Sequence, residues 1–167
     1  MSLIKTNQLA FSTSIDVAAD VRERVIDRLN LRLADAIHVK LMAKHAHWNV
    51  KGKGAFALHQ LFDVIAEHGE EQSDLIAERT AALGGLAEGA LRQVVENSGL
   101  PDYDLDAHLG EQHLRALAIP LALFGSQLRA DSDFAEDLGD RASADLLTQI
   151  VQQVDKDLWM VEAHLQS

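Results

Sequence analysis

Between about Ile15 and His47 the apolar residues Ile26, Leu29, Leu33, Ile37 and Leu41 recur at spacings of three and four. That rhythm predicts an amphipathic helix, with Ser14 placed to cap its start. The stretch from Asn49 to Ala55 carries two glycines and breaks the pattern. A second helix is expected from about Phe56 to Leu83, stopped by Gly84 and Gly85. Leu86 to Tyr103 reads as a long connection with one helical turn around Leu91 to Glu96. In a third helix, from about Asp106 to Ala130, Leu114, Leu117, Leu121, Phe124 and Leu128 repeat at three and four. Pro120 lies inside it, where a lost backbone hydrogen bond should kink the helix. A fourth helix is expected from about Asp133 to Leu165. Its stripe is Leu138, Ala142, Leu146, Ile150, Val154, Leu158, Val161 and Leu165, and Asp133 with Glu136 reads as a capping box.

Four helices with short first and third connections and a long middle one imply an all-α fold. Two antiparallel pairs would be joined by a crossover between helices 2 and 3, the ferritin-like four-helix arrangement rather than a simple up-and-down bundle. The whole of 1–167 is expected to be one domain with a short N-terminal extension, 1–14. With 47% hydrophobic residues in 167 there is enough to fill one core.

Charge and missing residue types narrow the chemistry. There is no cysteine, so any metal must be held by histidines and carboxylates. The first residues contain no apolar run long enough for a signal peptide or a span, so a cytoplasmic protein without a membrane partner is expected. A net charge of −11 suits cations and repels a phosphate backbone.

The informative window runs from Lys44 to Gly85. His59 and Asp63 are four apart and share a helix face. His47 precedes the glycine turn, so a chain reversal can return it beside them. Two imidazoles and one carboxylate suit Fe(II) and leave positions open for an oxidant. Asp74 and Glu78 are again four apart, 15 residues after His59 and Asp63 respectively. Fifteen residues of helix span about 22 Å, too far for one metal within one subunit. If two copies of this helix cross antiparallel about a two-fold axis, one offset aligns both pairs. Spacing alone leaves open that the acidic face of Glu67, Glu70, Glu71 and Asp74 is simply solvated.

The segments HAHWNVKG, LHQLFD and DLIAERTAALGG, in that order, resemble the signature of the Dps family, the DNA-binding proteins from starved cells. The likeness extends to SADLLTQIVQQVDKDLWMVEAHL near the end of the chain. It implies a hollow dodecamer with a ferroxidase centre at each two-fold interface. His47, His59 and Asp63 would come from one subunit, and Asp74 and Glu78 from its partner. Iron would be the metal, two ions per shared site, oxidised from Fe(II) with hydrogen peroxide and stored as ferric oxide, sparing the cell and its DNA oxidative damage. Trp48 matches a tryptophan near the family's site, with a core aromatic as the equal alternative; Trp159 could lie nearby or be core. Asp145 and Asp155 match positions lining an acidic three-fold iron pore, with a solvated face as the alternative. His38, His45, His68, His108, His113 and His164 have no matched metal role and are expected to be structural or solvated.

One departure from the family matters. DNA-binding members often carry a basic tail, whereas Lys5 is the one basic residue among the first twenty here. DNA binding is therefore doubtful without bridging cations. A nucleoid-associated, DNA-compacting protein is the alternative function. A third reading, a di-iron site inside one bundle, needs Glu-x-x-His motifs; none occurs, and Asp35-x-x-His38 is the nearest.

Overall fold

The computed structural model describes residues 9–166; Lys5 and most of the expected N-terminal extension lie outside the described residues. Five helices follow in order: α1 (Ala19–Asn49), α2 (Ala55–Ala82), α3 (Leu91–Asn97), α4 (Gly110–Asp137) and α5 (Arg141–Ala163). There is no strand among the described residues, only an isolated bridge between Lys51 and Leu109. Helix α1 packs chiefly against α2, and α4 against α5; α1 also meets α3 and α4, and α2 meets α5. These are the two antiparallel pairs joined by a crossover, with α3 as its helical turn. Each long helix buries one stripe, and Phe62, Phe124, Leu29, Leu33, Leu117 and Leu128 are among the fully buried side chains. Truncating either phenylalanine to alanine would cost about 3–5 kcal/mol.

Where α1 and α2 cross, a side chain at Gly69 would come within 2.9 Å of the Lys40 Cβ. Glycine there lets the two backbones that carry the histidines approach closely. Helix α2 stops as expected: Gly84 has φ +91° and donates to the Ala81 carbonyl, and Gly85 donates to Thr80. Both bonds satisfy carbonyls that the helix end leaves open.

Three expected boundaries are corrected. Helix α1 begins at Ala19, and Ser14 does not cap it; Ala18 precedes the helix without a side-chain cap. Helix α4 begins at Gly110, not Asp106. The largest correction concerns the last turn. Asp133 and Glu136 lie inside α4, so they form no capping box. The chain turns at Gly139, φ +84°, which donates to the Glu136 carbonyl while Asp140 donates to Ala135. Asp140 then caps α5, accepting from the Ser143 amide at 3.1 Å and from its hydroxyl at 2.6 Å. One residue thus closes α4 and opens α5, and the Gly139–Asp140 signal outranks the Asp133 one. The buried stripe of α5 shifts with it, to Ala144, Leu147, Ile150, Val151, Val154 and Val161; Ala142 is exposed. Leu41, expected in the first stripe, is 45% exposed. Helix α4 runs through Pro120, which is itself buried.

The bundle interior also holds charge. Arg32 pairs with Asp35 at 3.0 Å and with Asp131 at 3.4 Å, all three almost fully buried. Burial pushes both carboxyls up in pKa, and Arg32 opposes the shift. Asp35, half of the nearest approach to a bundle-core metal motif, is thus bound by an arginine, the Ser98 hydroxyl and the Gly99 amide.

Candidate metal centre

His47 sits in the last turn of α1 and His59 in the first turns of α2, so the glycine turn between them folds the two rings together. They stack with centroids 3.6 Å apart and planes 21° from parallel. Their ring Nδ1 atoms are tied crosswise. His47 Nδ1 donates to the His59 carbonyl and His59 Nδ1 donates to the His47 carbonyl, each at 2.8 Å. A carbonyl only accepts, so both neutral rings carry their proton on Nδ1. The lone pair of each is left on Nε2, the arrangement in which a backbone acceptor orients an imidazole for a metal.

Asp63, one turn after His59, places Oδ1 3.7 Å from His47 Nδ1. Lys44, one turn before His47, reaches the same oxygen at 2.6 Å. The Lys44 ammonium holds this carboxyl below the usual carboxylate range, partial burial opposes, and His47 adds to the lowering. Lys44 also lies 5.8 Å from the centre of the Trp48 ring. Trp48 is 63% exposed, so the core-aromatic reading fails for the described chain, and Trp159 is likewise exposed.

Asp74 and Glu78 are both exposed, farther along α2, and neither makes a hydrogen bond or ion pair among the described residues. They are not brought to the histidines within one chain. No three His, Asp or Glu side chains close around a common point among the described residues of this single chain. The end of α2 is held instead by Arg79, which donates to Asp140 at 2.7 Å and to the Ser143 hydroxyl at 2.8 Å.

On α5, Asp145 accepts from Gln149 at 3.1 Å. Asp155 is paired through both oxygens with Arg129, so its charge is compensated within the chain while that of Asp145 is not.

The remaining histidines are mostly satisfied polar groups. His38 Nδ1 lies 2.8 Å from the Ser98 hydroxyl. His68 meets the buried Asp157 at 2.9 Å, and burial pushes that carboxyl up while His68 opposes. His164 donates to the Met160 carbonyl, and His108 is exposed. His113 is fully buried against Tyr103. Sequence reasoning missed Lys44, although its place one turn before His47 on the same face was a usable signal. It also missed the Tyr103–His113 pair, which no spacing announces.

Comparison with known proteins bears on this geometry. The chain matches the ferritin-like domain over residues 26–167. It is 36% identical to the DNA protection during starvation protein of Agrobacterium fabrum, over 92% of this chain and 95% of that one. It is 32% identical to the protein of the same name from Mycolicibacterium smegmatis, over 86% and 78%. Among solved structures, an archaeal Dps homologue from Halobacterium salinarum superposes with a TM-score of 0.91 at 26% identity, covering 99% of this chain and 92% of that one.

Proposed function

The chain belongs to the Dps family of ferritin-like proteins, a family of DNA protection and iron storage, and on that premise we propose that it is a ferroxidase and iron store. The observation that carries this reading is the crosswise tie of His47 and His59. It orders both rings with the Nε2 lone pair of each left free before any metal arrives, and Asp63 lies one turn along α2 from His59, so the ordering cost at binding is reduced.

The rest of the site comes from assembly. Helix α2 of a second subunit, crossing antiparallel, brings Asp74 of the partner subunit towards His59 and Glu78 of the partner subunit towards Asp63. A two-fold axis creates two such sites, each for two ions, and the closed oligomer proposed is a hollow dodecamer. Iron is the substrate. Carboxylate oxygens are hard donors that favour Fe(III) over Fe(II), which lowers the barrier to giving up an electron. Hydrogen peroxide takes one electron from each of two Fe(II) ions and two protons, giving two waters and two Fe(III). Both Fenton reactants disappear without a free hydroxyl radical, which protects DNA with no need to touch it. As Fe(II) approaches Asp63, the Lys44 ammonium must leave that oxygen, so site loading exchanges one cation for another.

The net charge of −11 disfavours duplex DNA, because each phosphate contact needs a Lys or Arg to displace a counterion. Stopped-flow oxidation of Fe(II) with peroxide and with O₂, on protein whose mass in solution is known, tests the whole reading. Rapid oxidation with peroxide by a large oligomer is the expected result. An active monomer, or no oxidation by the oligomer, would refute it.

A further inference from the structure

Resting on the ferroxidase reading, we propose that Tyr103 is a one-electron donor to iron oxidation, and that its phenolic proton passes to His113 as the electron leaves. The pair is built for that coupling. The Tyr103 hydroxyl lies 2.6 Å from His113 Nδ1. His113 is fully buried, and the Asn49 backbone faces its second ring nitrogen. With the ring proton on the nitrogen that faces the Asn49 backbone, the phenol donates and Nδ1 accepts, free to take the phenolic proton. Burial holds His113 neutral, lowering its pKa with His45 and His108 adding to the effect. Burial likewise raises that of Tyr103, helped by Asp104. Both shifts disfavour ionisation of the phenol ahead of its oxidation, which favours electron and proton leaving together.

Position links the pair to the iron site. The Tyr103 ring meets the His45 ring at 5.0 Å, edge to face. His45 lies two residues before His47, about 3 Å along the α1 axis but on a different face of the helix. His113 in turn meets Phe62 at 6.1 Å, the residue before Asp63. The backbone of Asn49, two residues after His47, faces His113 and favours its charged form. The tyrosine thus abuts α1 and its histidine partner abuts α2, the two helices that carry the candidate metal ligands. It also lines an open cavity of about 380 Å³ with His38 and His45, so it stays accessible to small reductants.

The donor matters when a site holds one Fe(II). Peroxide needs two electrons, and a lone Fe(II) supplies one, which would otherwise release hydroxyl radical. With Tyr103 supplying the second, peroxide, Fe(II), the phenol, neutral His113 and two solvent protons give two waters, Fe(III), a tyrosyl radical and protonated His113. A later Fe(II) reduces the radical, and the proton returns from His113.

Tyr103 is the chain's single tyrosine, so a tyrosyl radical has one source. The experiment adds peroxide to the oligomer at one Fe(II) per site, follows ferric absorbance, and freezes samples for electron paramagnetic resonance. A tyrosyl spectrum in the wild type, with a coupling that disappears in D₂O because the phenoxyl oxygen is hydrogen-bonded by His113, is expected. The spectrum should be lost in Tyr103→Phe, with more hydroxyl radical caught by a spin trap. Ferric absorbance without a tyrosyl signal would overturn the proposal and leave the ferroxidase standing. A radical signal that survives in Tyr103→Phe, or one lacking the exchangeable coupling, would also overturn it. No ferric absorbance would sink both readings, and that outcome is distinct from the others.

Discussion

Helix α2 carries two carboxylate-bearing pairs at the same four-residue spacing, and its two ends treat them differently. At the start, His59 and Asp63 are bound to α1 by the His47 carbonyl and by Lys44. Near the end, Asp74 and Glu78 face solvent and bind nothing among the described residues. The first half-site is ordered by the fold of one chain. The second has its backbone fixed, through Arg79 and Asp140, but leaves its carboxylates free to meet something else. Unpaired carboxylates beside a rigid helix end are what a site completed by a second subunit requires.

The largest effect should come from releasing the far end. Asp140 is buried, pairs with Arg79 and caps α5. Asp140→Ala leaves a largely buried arginine without its partner and should cost about 3–5 kcal/mol, measured by denaturant unfolding at fixed protein concentration. A loss below about 1 kcal/mol would mean that this clamp is no better than a surface ion pair.

The two half-sites themselves come next. His59→Ala and Asp74→Asn should each slow rapid iron oxidation by about 100-fold or more, since even supporting partners of a metal ligand are worth about 10–100-fold. Co-assembling the two variants tests the sharing. A mixed two-fold interface has one site with both lesions and one with none, so activity should return in proportion to mixed dimers. If mixed dimers stay as inactive as their parents, the site is not shared.

A smaller effect should follow from removing the internal counter-charge. Lys44→Met frees Asp63, and Fe(II) should bind about two- to fivefold more tightly at neutral pH, the scale of one exposed ion pair. The advantage fades with acid. Lys44 keeps Asp63 ionised below the usual carboxylate range, so a proton begins to compete with Fe(II) at a higher pH in the variant, and the two affinities should converge as the pH falls. Titration calorimetry with Fe(II) under anaerobic conditions at two pH values reads both.

The smallest effect concerns α5. Asp155 is neutralised by Arg129, whereas Asp145 is not. If these positions line a pore that concentrates Fe(II), Asp145→Asn should slow uptake at low iron and flatten its salt dependence more than Asp155→Asn does. Equal, negligible effects would return both to a solvated face.

Much of this was legible along the chain. Periodicity gave the four long helices, the crossover and its helical turn, because each helix buries one stripe and repeats at its own pitch. The order of His47, His59, Asp63, Asp74 and Glu78 gave the candidate ligands. The last turn was misplaced because Asp133 looks like a cap and Gly139–Asp140 is a cap. Local signals compete there, and the backbone bonds of the finished turn decide between them.

By itself the sequence determined which residues could bind metal, that thiolates could not, and that one helix carries both halves of the set at a common offset of 15. Those follow from residue chemistry and helical pitch, which are local. Only the tertiary structure decided that the two histidine rings lock one another through backbone carbonyls, that Lys44 occupies Asp63, that Arg129 quenches Asp155, and that Tyr103 hands its hydroxyl to a buried His113. Each of these joins residues on different elements or across a turn. Their contact depends on how helices pack and which rotamers the packing permits, and no spacing along a single helix encodes that.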